Sequence, residues 1–170
     1  IRFLALLGLK EGEHYIIPES ERLLPHELPK NILQEKIDGN SDPARKGVLT
    51  RAQSIAEENN LNVVMARDPD GDRFVISMKL DGKWQQLDGN ENALLMAEDR
   101  LTHTKADKSK MLLMRSHATT YLLDEIAKEH GVKLSVVPVG FKYFGARVIQ
   151  LYNSDPKELF FGAEESFGTS

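Results

Sequence analysis

The chain has 170 residues, enough for one ordinary domain or two small ones, and its apolar fraction of 41% is normal for a globular protein. Its net charge of −4 argues against nucleic acid or an anionic membrane as the main partner. The absence of cysteine excludes disulfides and thiolate metal sites, which suits a cytoplasmic setting. Because the chain starts at Ile1 rather than Met and stops abruptly at Ser170, we expect a piece of a longer protein.

The first forty residues carry few regular patterns. Residues 1–9 are predicted to form the end of a buried helix, and residues 14–17 a short strand that Pro18 stops. The apolar run within residues 3–9 is far too short to span a bilayer. Two prolines break any long helix over residues 19–39, so that segment is predicted to be irregular.

The next segment predicts a helix followed by three strands. Asp42 and Pro43 are a good helix start, and apolar residues recur at helical spacing as far as Asn59 and Asn60. Strands are predicted over residues 61–66, 74–78 and 83–87, with Asp81 and Gly82 as a tight hairpin turn between the last two.

From residue 88 onward helices and strands alternate. A helix capped by Asn90 is predicted to run to Leu101, and a buried strand to cover residues 110–114. A second helix is predicted from a cap at Ser116 to a stop at Gly131, before a strand over residues 133–137. This alternation favours an α/β layer with parallel strand pairing.

The loop between the first two strands carries three carboxylates at alternate positions, Asp68, Asp70 and Asp72. Side chains at this spacing can converge, and convergent oxygen ligands suit a hard cation such as Mg²⁺. A solvated acidic turn is the alternative interpretation. The Ca²⁺ loop of an EF-hand is excluded, because it needs Gly and Glu where this chain has Arg73 and Lys79.

Two later segments could also carry chemistry. Lys142 lies among aromatic residues, where a desolvated amine would have a lowered pKa and could act in general acid/base catalysis. The alternative is a surface lysine with its stem packed on aromatic rings. Further on, Glu164, Glu165 and Ser166 could bond sugar hydroxyls, or simply form a polar turn at the end of a strand.

These three segments, residues 68–73, 137–144 and 162–168, together resemble the α-D-phosphohexomutase superfamily, and its phosphoglucomutases most. Residues 88–91 also resemble the turn that follows the metal loop in that family. One departure is Ala163, where the family usually has Gly directly before the Glu pair, which puts the flexibility of that loop in question.

The resemblance implies an α/β fold with two three-layer α/β/α-type units and mixed, largely parallel sheets. Residues 1–90 would be part of the family's domain II, which carries the metal loop, and residues 91–170 part of domain III, which carries the sugar loop. The chain contains no phosphoserine-loop motif and no recognisable fourth domain. The resemblance therefore implies that the other domains lie elsewhere in the parent chain and that this piece is inactive alone.

The implied reaction interconverts hexose 1-phosphate and 6-phosphate, with glucose as the sugar, through a phosphoserine and a bisphosphate, glucose 1,6-bisphosphate. Mg²⁺ held by Asp68, Asp70 and Asp72 would act as a Lewis acid at the phosphoserine.

The resemblance assigns roles in substrate binding and catalysis to four further residues. Arg73 would contact phosphate, Lys142 would be a general acid/base, and Glu164 and Ser166 would hold sugar hydroxyls.

Two other functions stay open. One is a phosphatase whose nucleophile is an aspartate of the acidic loop, which would form an aspartyl-phosphate. The other is a module that binds Mg²⁺ or a sugar phosphate without mutase activity.

Overall fold

The computed structural model describes residues 8–17, 45, 47–67, 73–154 and 159–165. The chain forms two compact units, residues 1–41 and 42–170. In the first unit, the described residues 8–17 form a turn with a single bridge between Glu11 and Tyr15, so the strand predicted over 14–17 is wrong for this segment. The segments predicted over 1–7 and 19–39 lie outside the described residues.

In the second unit, the first four elements are a helix and an antiparallel sheet. They are α1 (Thr50–Glu58), β1 (Val63–Arg67), β2 (Phe74–Leu80) and β3 (Lys83–Gln86), with the strands in the order β1-β2-β3. The helix begins at Thr50, later than the predicted start at Asp42 and Pro43, which lie outside the described residues. It ends at the predicted Asn59 cap.

The hairpin between β2 and β3 forms where the sequence predicts it. Asp81 and Gly82 have φ angles of 49° and 77°, the left-handed conformation that a two-residue hairpin turn of this kind needs. Their turn fixes the register in which Leu80 faces Lys83.

The second group of elements surrounds a parallel sheet. They are α2 (Gly89–His103), a 3₁₀ turn (Lys108–Lys110), β4 (Met111–Ser116), α3 (Leu122–His130), β5 (Lys133–Val137), α4 (Phe141–Ser154) and β6 (Leu159–Ala163). The strand order is β5-β4-β6, and both strand pairs are parallel. Every residue of the central strand β4 is buried, because helices cover both of its faces.

Two apolar clusters form the core on the two faces of this sheet. On one face α2 and α3 pack against Met111 and Leu113 of β4. On the other face Phe144 of α4 packs against Leu112 and Met114. This sheet is therefore the middle layer of an α/β/α sandwich.

Local details differ from the sequence-based expectations at three places. The cap of α2 is Asp88 rather than Asn90, because Asp88 forms a capping box with Glu91. Ser116 ends β4 and does not cap α3, whose N-terminal residue follows Tyr121. Helix α4, which the sequence analysis did not predict, follows β5. The predicted stop at Gly131 is confirmed, with a φ of 70°.

The α/β fold class is confirmed, and the three-layer arrangement is found around the second sheet. Largely parallel pairing holds for that sheet, whereas the described pairs of the first sheet are all antiparallel. The two-residue Asp81–Gly82 turn can only join antiparallel strands, and the six residues between β1 and β2 are likewise too few for the crossover that a parallel pair needs. Within the described residues, no helix has the length and apolar character needed to cross a bilayer.

Candidate functional site

The carboxyl ends of β4 and β5 form the edge of the sheet where a ligand site is expected. Helix α3 follows β4 on one face of the sheet, and α4 follows β5 on the other. The crevice between two neighbouring strand ends whose helices leave to opposite faces is the usual ligand position in open α/β sheets. At this edge the backbone N–H of His117 donates to the carbonyl of Val137, which joins the two strand ends.

The turn that follows β4, residues 117–121, is held in shape by Arg115. Its guanidinium forms a two-point ion pair with Asp124, with Nε–Oδ1 and Nη2–Oδ2 distances of 2.5 and 3.0 Å. Its Nη1 donates to the carbonyls of Ser116 and Thr119. The hydrogen bonds that Arg115 donates to Asp124 raise the pKa of Arg115, so this largely buried guanidinium stays charged. The turn is therefore stiff before any ligand arrives.

Two buried hydroxyls, one at the end of β4 and one in this turn, bind Glu165. Ser116 and Thr119 are 0% and 1% exposed, and their hydroxyl oxygens lie 2.8 Å apart. Ser116 Oγ donates to Glu165 Oε2 at 2.9 Å, and Thr119 Oγ1 lies 3.3 Å from the same carboxylate oxygen. Ser116 Oγ also accepts the backbone N–H of Thr119. Glu165 is thus anchored to the end of β4 through groups that water does not reach.

Glu164 bonds to the turn that follows β5. Its Oε1 accepts the backbone N–H of Gly140 at 2.5 Å, and the residue is 6% exposed. Gly140 has a φ of 117°, a conformation open to glycine and strained for other residues, and it aims this N–H at the carboxylate. The two adjacent glutamates that follow β6 therefore reach the ends of two different strands.

Lys142 lies in the first turn of α4, two residues after Gly140. Its side chain is exposed, and Nζ lies 5.0 Å from the ring centre of Tyr143. The apolar neighbours proposed to desolvate it, Phe141 and Phe144, instead face the core cluster beneath the helix. The structure therefore matches the surface-lysine interpretation of its environment, with the amine available to solvent beside the strand end.

The other predicted site residues fall elsewhere. Arg73 is half-buried and directly precedes β2, in the antiparallel sheet. Asp68, Asp70, Asp72 and Ser166 lie outside the described residues. Over the described ranges there is no group of three or more His, Asp or Glu side chains placed to hold a metal ion. The structure thus brings Glu164 to the turn that precedes Lys142. The metal assignment stays a prediction.

Ser116 and Thr119 also belong to this site, although the sequence patterns above do not assign them to it. The sequence pattern predicts Ser116 as a helix cap, whereas in the structure both hydroxyls hold a carboxylate. The available signal was the group of hydroxyl residues Ser116, Thr119 and Thr120 shortly after the apolar run 111–114, since polar side chains collect at the ligand edge of such a sheet.

Comparison with known proteins gives one family model and several curated relatives. Residues 88–170 match the model described as phosphoglucomutase/phosphomannomutase, alpha/beta/alpha domain III. A phosphomannomutase of Mycoplasma genitalium is 36% identical over 129 residues, covering 76% of this chain and 23% of the relative. A phosphoribomutase of Saccharomyces cerevisiae is 30% identical over 173 residues, covering 95% of this chain and 26% of the relative.

Solved structures share the fold. The parafusin phosphoglucomutase of Paramecium matches with a TM-score of 0.59 at 23% identity, covering 99% of this chain and 26% of that one. An N-acetylphosphoglucosamine mutase of Aspergillus fumigatus, in complex with GlcNAc-6P and magnesium, matches with a TM-score of 0.51 at 16% identity, covering 99% and 30%. The chain spans about a quarter of the length of the two curated relatives described above.

Proposed function

The chain belongs to the α-D-phosphohexomutase superfamily, and from that premise we propose that it is part of an enzyme that interconverts hexose 1-phosphate and hexose 6-phosphate, with glucose as the sugar. The observation that carries the proposal is the Glu pair, Glu164 and Glu165. The pair lies at the ligand edge of the domain that the family model matches, and each carboxylate is oriented by groups from a different strand end.

In this proposal Glu164 binds the sugar together with Ser166. A carboxylate accepts up to about four hydrogen bonds, so the bond from Gly140 leaves capacity for sugar hydroxyls. Glu165 holds the residues that follow β6 against the end of β4 through its contacts with Ser116 and Thr119. The backbone and hydroxyl donors fix both carboxylates before the sugar arrives, which lowers the entropy cost of binding.

Two cationic side chains would serve the phosphoryl groups. Lys142 is exposed on the first turn of α4, where its long side chain can move a proton to or from a substrate oxygen. Arg73 would bind phosphate with its planar fork of N–H donors. Phosphoryl transfer depends mainly on such positioning and charge neutralisation.

The acidic loop would hold Mg²⁺ through Asp68, Asp70 and Asp72. Three carboxylates and no sulfur ligand form a donor set of hard oxygens, which is the chemistry that Mg²⁺ prefers. When bound, the ion would supply Lewis-acid stabilisation of charge on a phosphoryl oxygen.

The rest of the parent protein would supply the phosphoserine and the remaining phosphate contacts, with glucose 1,6-bisphosphate as the activating intermediate. The chain contains no phosphoserine-loop motif, and it spans 23% of the Mycoplasma genitalium relative. We expect the 170-residue chain alone to show no turnover.

A pentose phosphate is the second candidate substrate. The yeast relative named phosphoribomutase aligns with 95% of this chain at 30% identity. A pentose would use the same phosphate-binding groups and differ in the hydroxyls presented to Glu164 and Ser166.

The test uses the full-length parent protein with Mg²⁺, a trace of glucose 1,6-bisphosphate, and glucose, mannose or ribose 1-phosphate in separate assays. We expect glucose 6-phosphate to form, and activity to be lost in Asp70→Ala while the surface control Asp99→Ala stays active. Faster turnover of ribose 1-phosphate would select the pentose instead. Binding of sugar phosphate with no turnover of any of the three would overturn the mutase proposal, and full activity in Asp70→Ala would remove the metal assignment.

A further inference from the structure

The first turn of α2 contains two asparagines whose side chains bond to other elements. Asn90 Oδ1 accepts the backbone N–H of Thr120 at 2.9 Å, and Asn92 Nδ2 donates to the carbonyl of Phe74 at 3.0 Å. An asparagine at this end of a helix most often serves as its cap. Here Asp88 and Glu91 complete the capping box, so neither amide is needed to start the helix.

The two bonds lead to the two halves of the proposed site. Phe74 is the first residue of β2 and directly follows Arg73 and the acidic loop. Thr120 directly follows Thr119, whose hydroxyl lies against Ser116 and Glu165. The first turn of α2 therefore connects the start of β2, next to the proposed phosphate-binding residue Arg73, to the turn after β4 that anchors Glu165.

The environment of Asn92 argues against a purely stabilising role. Asn92 is 1% exposed, and its Oδ1 has no hydrogen-bond partner within the described part of the chain. A buried acceptor left unpaired costs free energy that offsets much of what the bond to Phe74 contributes. What the amide does provide is a fixed position for the Phe74 carbonyl, and with it for the start of β2.

We propose that Asn90 and Asn92 are positioning residues that set the separation between the phosphate-binding end and the sugar-binding end of the site. A substrate that must touch Arg73 and the Glu pair at once depends on that separation, whereas a ligand of one end alone does not. This inference rests on the proposed function, and neither asparagine touches the substrate in it.

The test compares variants of the full-length parent protein at a temperature where all are folded. Asn92→Leu removes both the bond to Phe74 and the unpaired oxygen at similar volume. Asn90→Ala removes the acceptor for Thr120, and Asn90→Asp restores it. Asp88→Ala is the matched control, because it weakens the same helical turn while leaving both amide bonds in place.

We expect Asn92→Leu and Asn90→Ala to lower kcat/KM by about 10–100-fold, because small displacements of reacting groups have effects of this size. Asn90→Asp and Asp88→Ala should stay near the wild-type value. By calorimetry, the first two variants should bind glucose 6-phosphate about tenfold more weakly than wild type while their affinity for Mg²⁺ alone is unchanged.

Wild-type glucose 6-phosphate affinity in Asn92→Leu and Asn90→Ala would overturn the inference. So would an equal loss of Mg²⁺ and sugar-phosphate affinity, because that pattern indicates general damage to the fold. Failure of the proposed function would appear differently, as a wild-type protein without turnover.

Discussion

At the scale of single residues, the site depends on buried polar groups that satisfy one another. Ser116 Oγ accepts the backbone N–H groups of Ala118 and Thr119 and donates to Glu165. Since a buried polar atom without a partner is costly, each of these groups requires the others. The described residues of this network therefore behave as one unit.

Ser116→Ala tests that unit. We expect it to lower the free energy of unfolding by about 1–3 kcal/mol, because it leaves the backbone N–H groups of Ala118 and Thr119 without their acceptor and the Glu165 carboxylate without its donor from Ser116. Urea denaturation of the 170-residue chain measures the change. Ser54→Ala, at an exposed position of α1, is the control and should stay within about 0.5 kcal/mol of wild type. Equal stability of the two variants would contradict the network.

A second residue-scale prediction concerns Glu98, at the opposite end of the sheet. His130 and then Thr102 donate hydrogen bonds to this carboxylate and hold its pKa below the usual value. A lowered carboxyl pKa stabilises the fold above the ordinary glutamate pKa, and that contribution disappears as the pH falls through the lowered value.

Glu98→Gln should therefore cost about 0.2–1 kcal/mol near neutral pH, the range of a half-exposed contact to a charged carboxylate. The difference from wild type should vanish in acid, well below the ordinary glutamate pKa of about 4.3. Thermal unfolding between pH 3 and pH 7, with Glu58→Gln as an exposed control, measures it; a difference that grows in acid would refute the assignment.

At the scale of elements, glycines mark both a helix end and a helix interior. Gly131 ends α3 at a φ of 70°, while Gly145 lies inside α4. A Cβ at either position would meet no heavy atom within 4 Å, so only backbone conformation distinguishes the two substitutions.

Gly131→Ala should destabilise the chain by about 1–2 kcal/mol, because an L-residue resists the left-handed conformation. Gly145→Ala should stabilise it by about 0.5–1 kcal/mol, because alanine loses less backbone entropy in a helix. The midpoints of urea unfolding give both values. Changes of the same sign would show that one of the two backbone conformations is wrong.

At the scale of the whole molecule, the three-layer arrangement makes both faces of β4 essential. Leu112 and Leu113 are adjacent, point to opposite faces, and are 4% and 2% exposed. In a sheet with one solvated face, only one of the two would contribute to the core.

Leu112→Ala and Leu113→Ala should therefore each cost about 2–5 kcal/mol, because each leaves a cavity in a packed cluster. Leu95→Ala is the control, since Leu95 is 44% exposed on α2 and truncation there removes little packing. Denaturant unfolding measures all three. Tolerance of either β4 substitution would contradict the helix layer on that face.

The sequence by itself determined the features that depend on neighbours a few residues away. Alternating and continuous apolar runs predicted β2, β3, β4 and β5, and the local chemistry of Asp81, Gly82 and Gly131 predicted a turn and a helix end. The sequence also shows directly that residues 68–72 are acidic, whereas the role of this loop as a metal site remains a prediction.

Only the tertiary structure decided which groups meet at the site. Glu165 reaches Ser116 and Thr119 across 49 and 46 residues, Gly140 reaches Glu164 across 24, and Thr120 reaches Asn90 across 30. No local pattern encodes such pairs, because they arise when parallel strands distant in sequence end at one edge. The local signal for helix α4 is weak, because Gly145 lies inside it and Gly140 directly precedes it, and burial of Phe144 against β4 stabilises it.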